Sequence, residues 1–131
     1  MNDQETKVLR DKIRSKTVGS ANVFKSKIIN HDGLEIEIKE PSVETWGLIL
    51  EKSRGSDDRG IKFQEYLIWT VIYCSFIPGT DILIFEDTDH DSLKKKPKDS
   101  FVSDFNEIAQ TLMTIDTGEE AKNSEETEDA S

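Results

Sequence analysis

Asp87, Asp89 and Asp91 stand two residues apart in "FEDTDHDSLKKKPK", residues 85–98. That is the 1, 3, 5 spacing with which an EF-hand loop offers oxygen ligands to calcium. The rest of the pattern is missing. The sixth position, which needs glycine for a sharp turn, is Ser92, and the twelfth, where a bidentate glutamate belongs, is Lys98. The stretch therefore reads as a solvated, hinge-like linker over 86–99. Its "KKKPK" run has the look of a nuclear address, yet the acids beside it can neutralise the lysines. Pro97 has an ordinary use as a stop ahead of the next helix.

Glu37-x-Lys39 in "EIEIK", with Asp32 upstream, matches the E-x-K element of one nuclease class. Such nucleases need a multistranded core and a positioned metal, which one hairpin does not supply. Charges on the solvent face of a strand explain it better. His31 sits in a turn and His90 in the linker, neither with a nearby Ser, Cys or His set for a nucleophile or zinc site. Cys74 lies amid aromatics, as a small core residue would. No glycine-rich phosphate loop is present. The expectation is a protein without catalytic residues, metal or cofactor.

The totals agree with a binding role. In 131 residues, 34% are hydrophobic and the formal net charge is −10. That apolar share is below the roughly 45–50% of a typical globular domain, so part of the chain is expected to stay outside the core. The negative charge argues against nucleic-acid backbones and favours a basic partner or plain solubility. A single cysteine forms no internal disulfide and suits a reducing compartment. The N-terminus "MNDQETKVLRDKIRSK" lacks the apolar core of a signal peptide, and no run of about 20 apolar residues suggests a membrane span. A soluble, cytoplasmic protein is expected.

The elements follow from periodicity. Residues 1–18 read as a charged N-terminal helix or arm: Asn2 and Glu5 have capping-box spacing, and Val8, Leu9 and Ile13 make a thin apolar stripe. Residues 19–115 read as one α+β domain, a β-hairpin packed with about three to four helices. In "LEIEIKE", Leu34, Ile36 and Ile38 alternate with charges, and "NVFKSKIIN" is the partner strand. A two-residue loop that sets Lys27 opposite Ile36 is disfavoured. A three-residue loop, His31–Gly33, pairs Ile28 with Ile36 and Ser26 with Ile38, and gives Gly33 the left-handed position.

Ser42 caps a helix whose buried face is Val43, Trp46, Ile49 and Leu50, with Gly55 as its stop. The polar loop "SRGSDDRG" leads to a central apolar segment, 62–77, preferred as a helix over a strand and ended by Pro78-Gly79. "DILIF" reads as a short strand or helical turn. The last helix carries Phe101, Phe105, Ile108, Leu112 and Ile115 at helical steps, capped by Asp99 or Ser100. Residues 116–131 hold seven acids, one lysine and no apolar residue larger than alanine, so a disordered acidic tail is expected.

The remaining functional candidate is apolar surface. Trp46, Tyr66, Trp69, Tyr73, Phe76, Phe101 and Phe105 fall in three helical segments, and a small domain has difficulty covering every side of 66–77. Some of these aromatics are expected to line a groove for a partner helix.

A hairpin, a helix like "PSVETWGLILEK", an apolar helix like "EYLIWTVIYCSF", a linker, an amphipathic helix like "FVSDFNEIAQTLMTI" and an acidic tail follow in that order. This order resembles the tail assembly chaperones of long-tailed (siphophage-type) bacteriophages of Gram-positive hosts, over roughly residues 20–118. The resemblance lies in size, order and texture, without a signature motif. It implies a non-enzymatic chaperone in the bacterial host cytoplasm, absent from the mature virion. Such a protein coats the tape measure protein, keeps it soluble and helps recruit tail tube protein. Self-association is left open. The competing expectation is a small acidic adaptor for another helical or basic protein.

Overall fold

The computed structural model describes residues 2–55 and 60–128, with side chains up to Thr114 in the last helix. Helix α1 is Asp3–Lys16, closed by the capping box that the sequence shows: Asn2 Oδ1 accepts the Glu5 N–H at 2.8 Å and Glu5 Oε1 accepts the Asn2 N–H at 3.0 Å. None of its residues is buried, and Val8, Leu9 and Ile13 are exposed. A helix this short gains little from propensity alone, so its caps and end charges matter.

Strands β1 (Ser26–His31) and β2 (Leu34–Lys39) form the expected hairpin in a different register. His31 pairs with Leu34, Ile29 with Ile36, and Lys27 with Ile38, leaving a two-residue turn of Asp32 and Gly33. Both turn residues have positive φ, 52° and 84°. That conformation matches the twist of the strands, and Asp-Gly is among the pairs that adopt it most readily. Asn30 Oδ1 also accepts the Gly33 N–H at 3.0 Å. The three-residue loop is thus corrected. Because strand faces alternate, moving the partner by one residue turns Ile29 inward and leaves Ile28 exposed opposite Glu37. Lys27 is accommodated because β1 is the sheet edge and its side chain remains exposed. His31 belongs to a strand and not to the turn.

Helix α2 (Val43–Lys52) is capped by Ser42, whose Oγ accepts the Thr45 N–H at 3.1 Å. Its docking differs from the expected face. Ile49 is fully buried and Leu50 half-buried, whereas Val43 is 89% exposed and Trp46 is exposed. The helix is held by its C-terminal half, where the buried Ser53 hydroxyl also donates to the Ile49 carbonyl at 2.6 Å. The expected polar loop falls partly on residues 56–59, outside the described residues. An antiparallel bridge between Arg54 and Ile61 flanks it.

The central segment is helix α3 (Phe63–Cys74), running directly into strand β3 (Ser75–Phe76). The helical and extended readings of 62–77 thus each hold for part of it. β3 pairs with β2, giving the antiparallel order β1-β2-β3. "DILIF" supplies only a bridge from Leu83 to Phe76. Next come a 3-10 turn at Asp87–Asp89 and helix α4 (His90–Lys94), where a hinge-like linker was expected. Leu93 is buried at 4% exposure, so α4 is seated on the core.

Helix α5 spans Phe101–Glu128. Of its expected stripe Phe105 and Leu112 are buried and Phe101 and Ile108 half-buried, and the buried face extends to Val102 and Ala109 beside them. Ser100 Oγ accepts the Val102 N–H at 3.4 Å at its start. The expected disordered tail, 116–131, begins beyond the last described side chain.

The fold is α+β. α3 packs between α5 and α2, α4 lies against α3, and α5 also covers β2. The core gathers Ile38, Ile49, Ile68, Val71, Ile72 and Cys74 with Leu93 and the α5 stripe. Cys74 is the small core residue expected, and burial pushes its thiol up to about 12.

Candidate functional site

The E-x-K pair has a structural use. Glu37 accepts the Gly79 N–H at 2.8 Å, which holds its carboxyl below the usual range. Lys39 donates to the Thr80 carbonyl at 2.8 Å and sits 4.6 Å over the Phe76 ring. Both residues fasten the loop after β3 to the sheet. Among the described residues no group of three or more His, Cys, Asp or Glu is arranged to hold a metal.

The seven candidate aromatics are not gathered along one groove. Phe101 and Phe105 contact each other at 5.3 Å between ring centroids, and both meet His31, at 5.5 and 5.9 Å. Phe105 is 3% exposed and belongs to the core. Trp69 and Tyr73 form a second cluster, stacked at 6.0 Å, with His90 stacked on Trp69 at 4.8 Å. Tyr66 is half-buried and donates its hydroxyl to Gln110 at 3.2 Å. Phe76 lies under Lys39, and Trp46 is exposed on α2.

The Trp69 cluster is a polar lattice whose partners from α2 and the 87–90 segment lie too far away along the chain for local pattern to reveal. Glu65 Oε1 accepts the Trp69 indole N–H at 3.2 Å and lies 2.7 Å from His90 Nε2. Lys52 sits 4.6 Å over the Trp69 ring and 3.3 Å from Asp87. Tyr73 donates its hydroxyl to Asp87 at 2.7 Å. Burial and the Asp87 bond push the Tyr73 hydroxyl up to about 12, while that same bond holds the Asp87 carboxyl below its ordinary 3.8. This lattice ties α2, α3 and the 87–90 segment together.

A depressed carboxyl stabilises the fold above its ordinary value, and that contribution disappears as pH falls through the depressed one. Acidifying below 3.8 is therefore expected to loosen the lattice. A titration followed by Trp69 fluorescence should show an acid-side change that Asp87→Asn removes.

The structure also shows an open cleft of about 510 Å³ between α3, the α4–α5 connection and the first turn of α5. Its apolar lining is Phe63, Leu67, Ile68, Leu93 and Val102, with Pro97 beside them. Lys94, Lys96 and Lys98 complete it on one side. Phe63 is 73% exposed, which is unusual for an aromatic beside an apolar floor. None of the seven candidate aromatics lines this cleft. The expected groove drew on the helical segments 43–54, 62–77 and 101–115, and α2 takes no part in this cleft. The aromatics were natural candidates because they are the largest apolar groups. Phe63 and Leu67, one helical turn apart, were the available signal.

A solved structure is similar. It is the bacteriophage HK97 tail assembly chaperone, matched with a TM-score of 0.49 at 17% sequence identity, over 81% of this chain and 97% of that one. No protein-family model matches the chain, and no curated protein is significantly similar to it. Structural likeness at that level does not assign a function. The functional reading rests on the cleft and on the order of the elements.

Proposed function

We propose that this chain is a non-enzymatic bacteriophage tail assembly chaperone that binds the tape measure protein and helps recruit tail tube subunits. In this reading it acts in the cytoplasm of a Gram-positive host and leaves before the virion is complete. The observation that carries the reading is the cleft with Phe63 exposed at its edge. Apolar lining next to solvent-exposed aromatic surface is the geometry with which a groove takes an amphipathic helix. A long helical client presents such faces repeatedly. The chain's net charge of −10 helps keep a complex of that kind in solution.

The test is coexpression with the tape measure protein. The wild-type chain is expected to keep the client in the soluble fraction. Phe63→Glu, which buries no new charge because the site is exposed, is expected to shift most of the client to the pellet. Undiminished solubility with this variant would end the chaperone reading of the cleft.

A further inference from the structure

The net charge of −10 suggests a basic client, but the cleft has the opposite local sign. Lys94, Lys96 and Lys98 all line it. In the sequence, the preceding acids are close enough to neutralise them. Folding turns most of these acids away from the cleft, although Asp91 still feels the charges of Lys94 and Lys95. Asp87 is engaged by Tyr73 and Lys52, Asp89 Oδ2 accepts the Glu86 N–H at 2.8 Å, and Asp91 lies 3.1 Å from His90. None of these acids lines the cleft, nor does Asp99 beyond Lys98. Lys94 is 3.9 Å from Glu65, a loose pair, and Lys96 and Lys98 form no salt bridge among the described residues.

We infer that the cleft selects an amphipathic helical segment whose apolar edge is flanked by Glu or Asp. The apolar floor receives the edge, and the lysine side admits acidic flanks and repels basic ones. The inference rests on the chaperone reading and specifies the client segment that this same cleft takes. The chain's own residues 116–131 fit less well. They carry seven acids but no apolar residue larger than alanine to fill the floor.

The test uses the full chain and three labelled synthetic peptides, read by fluorescence anisotropy. Two are helical, with the same Leu and Phe pattern, one flanked by Glu and the other by Lys. The third has the sequence of residues 116–131. The Glu-flanked peptide is expected to bind about tenfold more tightly than the Lys-flanked one, and the third peptide only weakly. Lys96→Glu with Lys98→Glu should invert the preference, and Phe63→Ser should weaken both helical peptides. Both changes are at exposed positions and leave the core intact.

Equal binding of the two helical peptides, or a preference that survives the charge reversal, overturns the inference. So does binding of the third peptide as tight as that of the Glu-flanked one, since the floor would then be irrelevant. A Lys-flanked preference together with loss of client solubility in Phe63→Glu would remove the charge inference and keep the chaperone. A Glu-flanked preference with undiminished client solubility would do the reverse.

Discussion

Phe105→Ala is expected to destabilise the protein by about 3–5 kcal/mol, the range for deleting a large buried aromatic. Phe105 is 3% exposed on the core stripe of α5, where its ring meets Phe101 and His31. Removing it opens a cavity where α5 meets the hairpin. Urea unfolding should show a lower midpoint with an unchanged slope. Phe105→Leu, which keeps most of the volume, should recover more than half of the loss. A cost below about 1 kcal/mol for the alanine variant would mean that α5 does not hold the sheet as described.

The second large effect is expected at Leu93. This side chain is 4% exposed and is the only buried residue of α4. Leu93→Ala should cost about 2–5 kcal/mol, with the loss concentrated locally. A helix of five residues has too few internal hydrogen bonds to persist without its anchor. Hydrogen exchange of the amides over 86–98 is expected to accelerate more than that of α3, and the cleft should lose affinity because Leu93 also lines it. Uniform acceleration across the chain would instead place α4 within the global cooperative unit. The charged segment that looks like a hinge in the sequence would then move only when the whole protein unfolds.

The groove and the stability map are connected through this segment. Lys94, Lys96 and Lys98 are presented to the cleft because Leu93 and His90 seat the preceding turn on α3. The same short helix thus anchors one side of the binding surface and sets its charge. A client that binds there stabilises α4 by mass action, so protection of 86–98 in the complex is a direct readout of occupancy.

Local signals in the sequence translate well into structure. The Asn2–Glu5 capping box, the Ser42 cap and the Phe101–Leu112 stripe all depend on residues within one or two helical turns of each other. Each appears as the spacing implies. The hairpin was legible as a hairpin, yet its register was not. Two turns differing by one residue both place Gly33 in the left-handed region, and hydrophobic pattern alone favoured burying Ile28. Asp32 accepting a positive φ of 52° decides for the shorter turn. That shift brings His31 onto the face that meets Phe101 and Phe105.

Helix α3 marks the limit on the functional side. Apolar residues run round nearly all of it, so periodicity singles out no face as the one left for a partner. The largest aromatics were the reasonable choice; Phe105 is buried in the core, Trp46 is exposed and the other five are half-buried. His90 likewise had no visible partner, because Glu65 is 25 residues away in the chain. By itself the sequence determined the α+β class, the N-terminal caps of α1 and α2 and the order of the main elements, since those follow from contacts along the chain. Tertiary structure decided which apolar faces were covered and which lysines were parted from their acids. Those outcomes depend on residues brought together across long separations, where burial on one side necessarily leaves another side open.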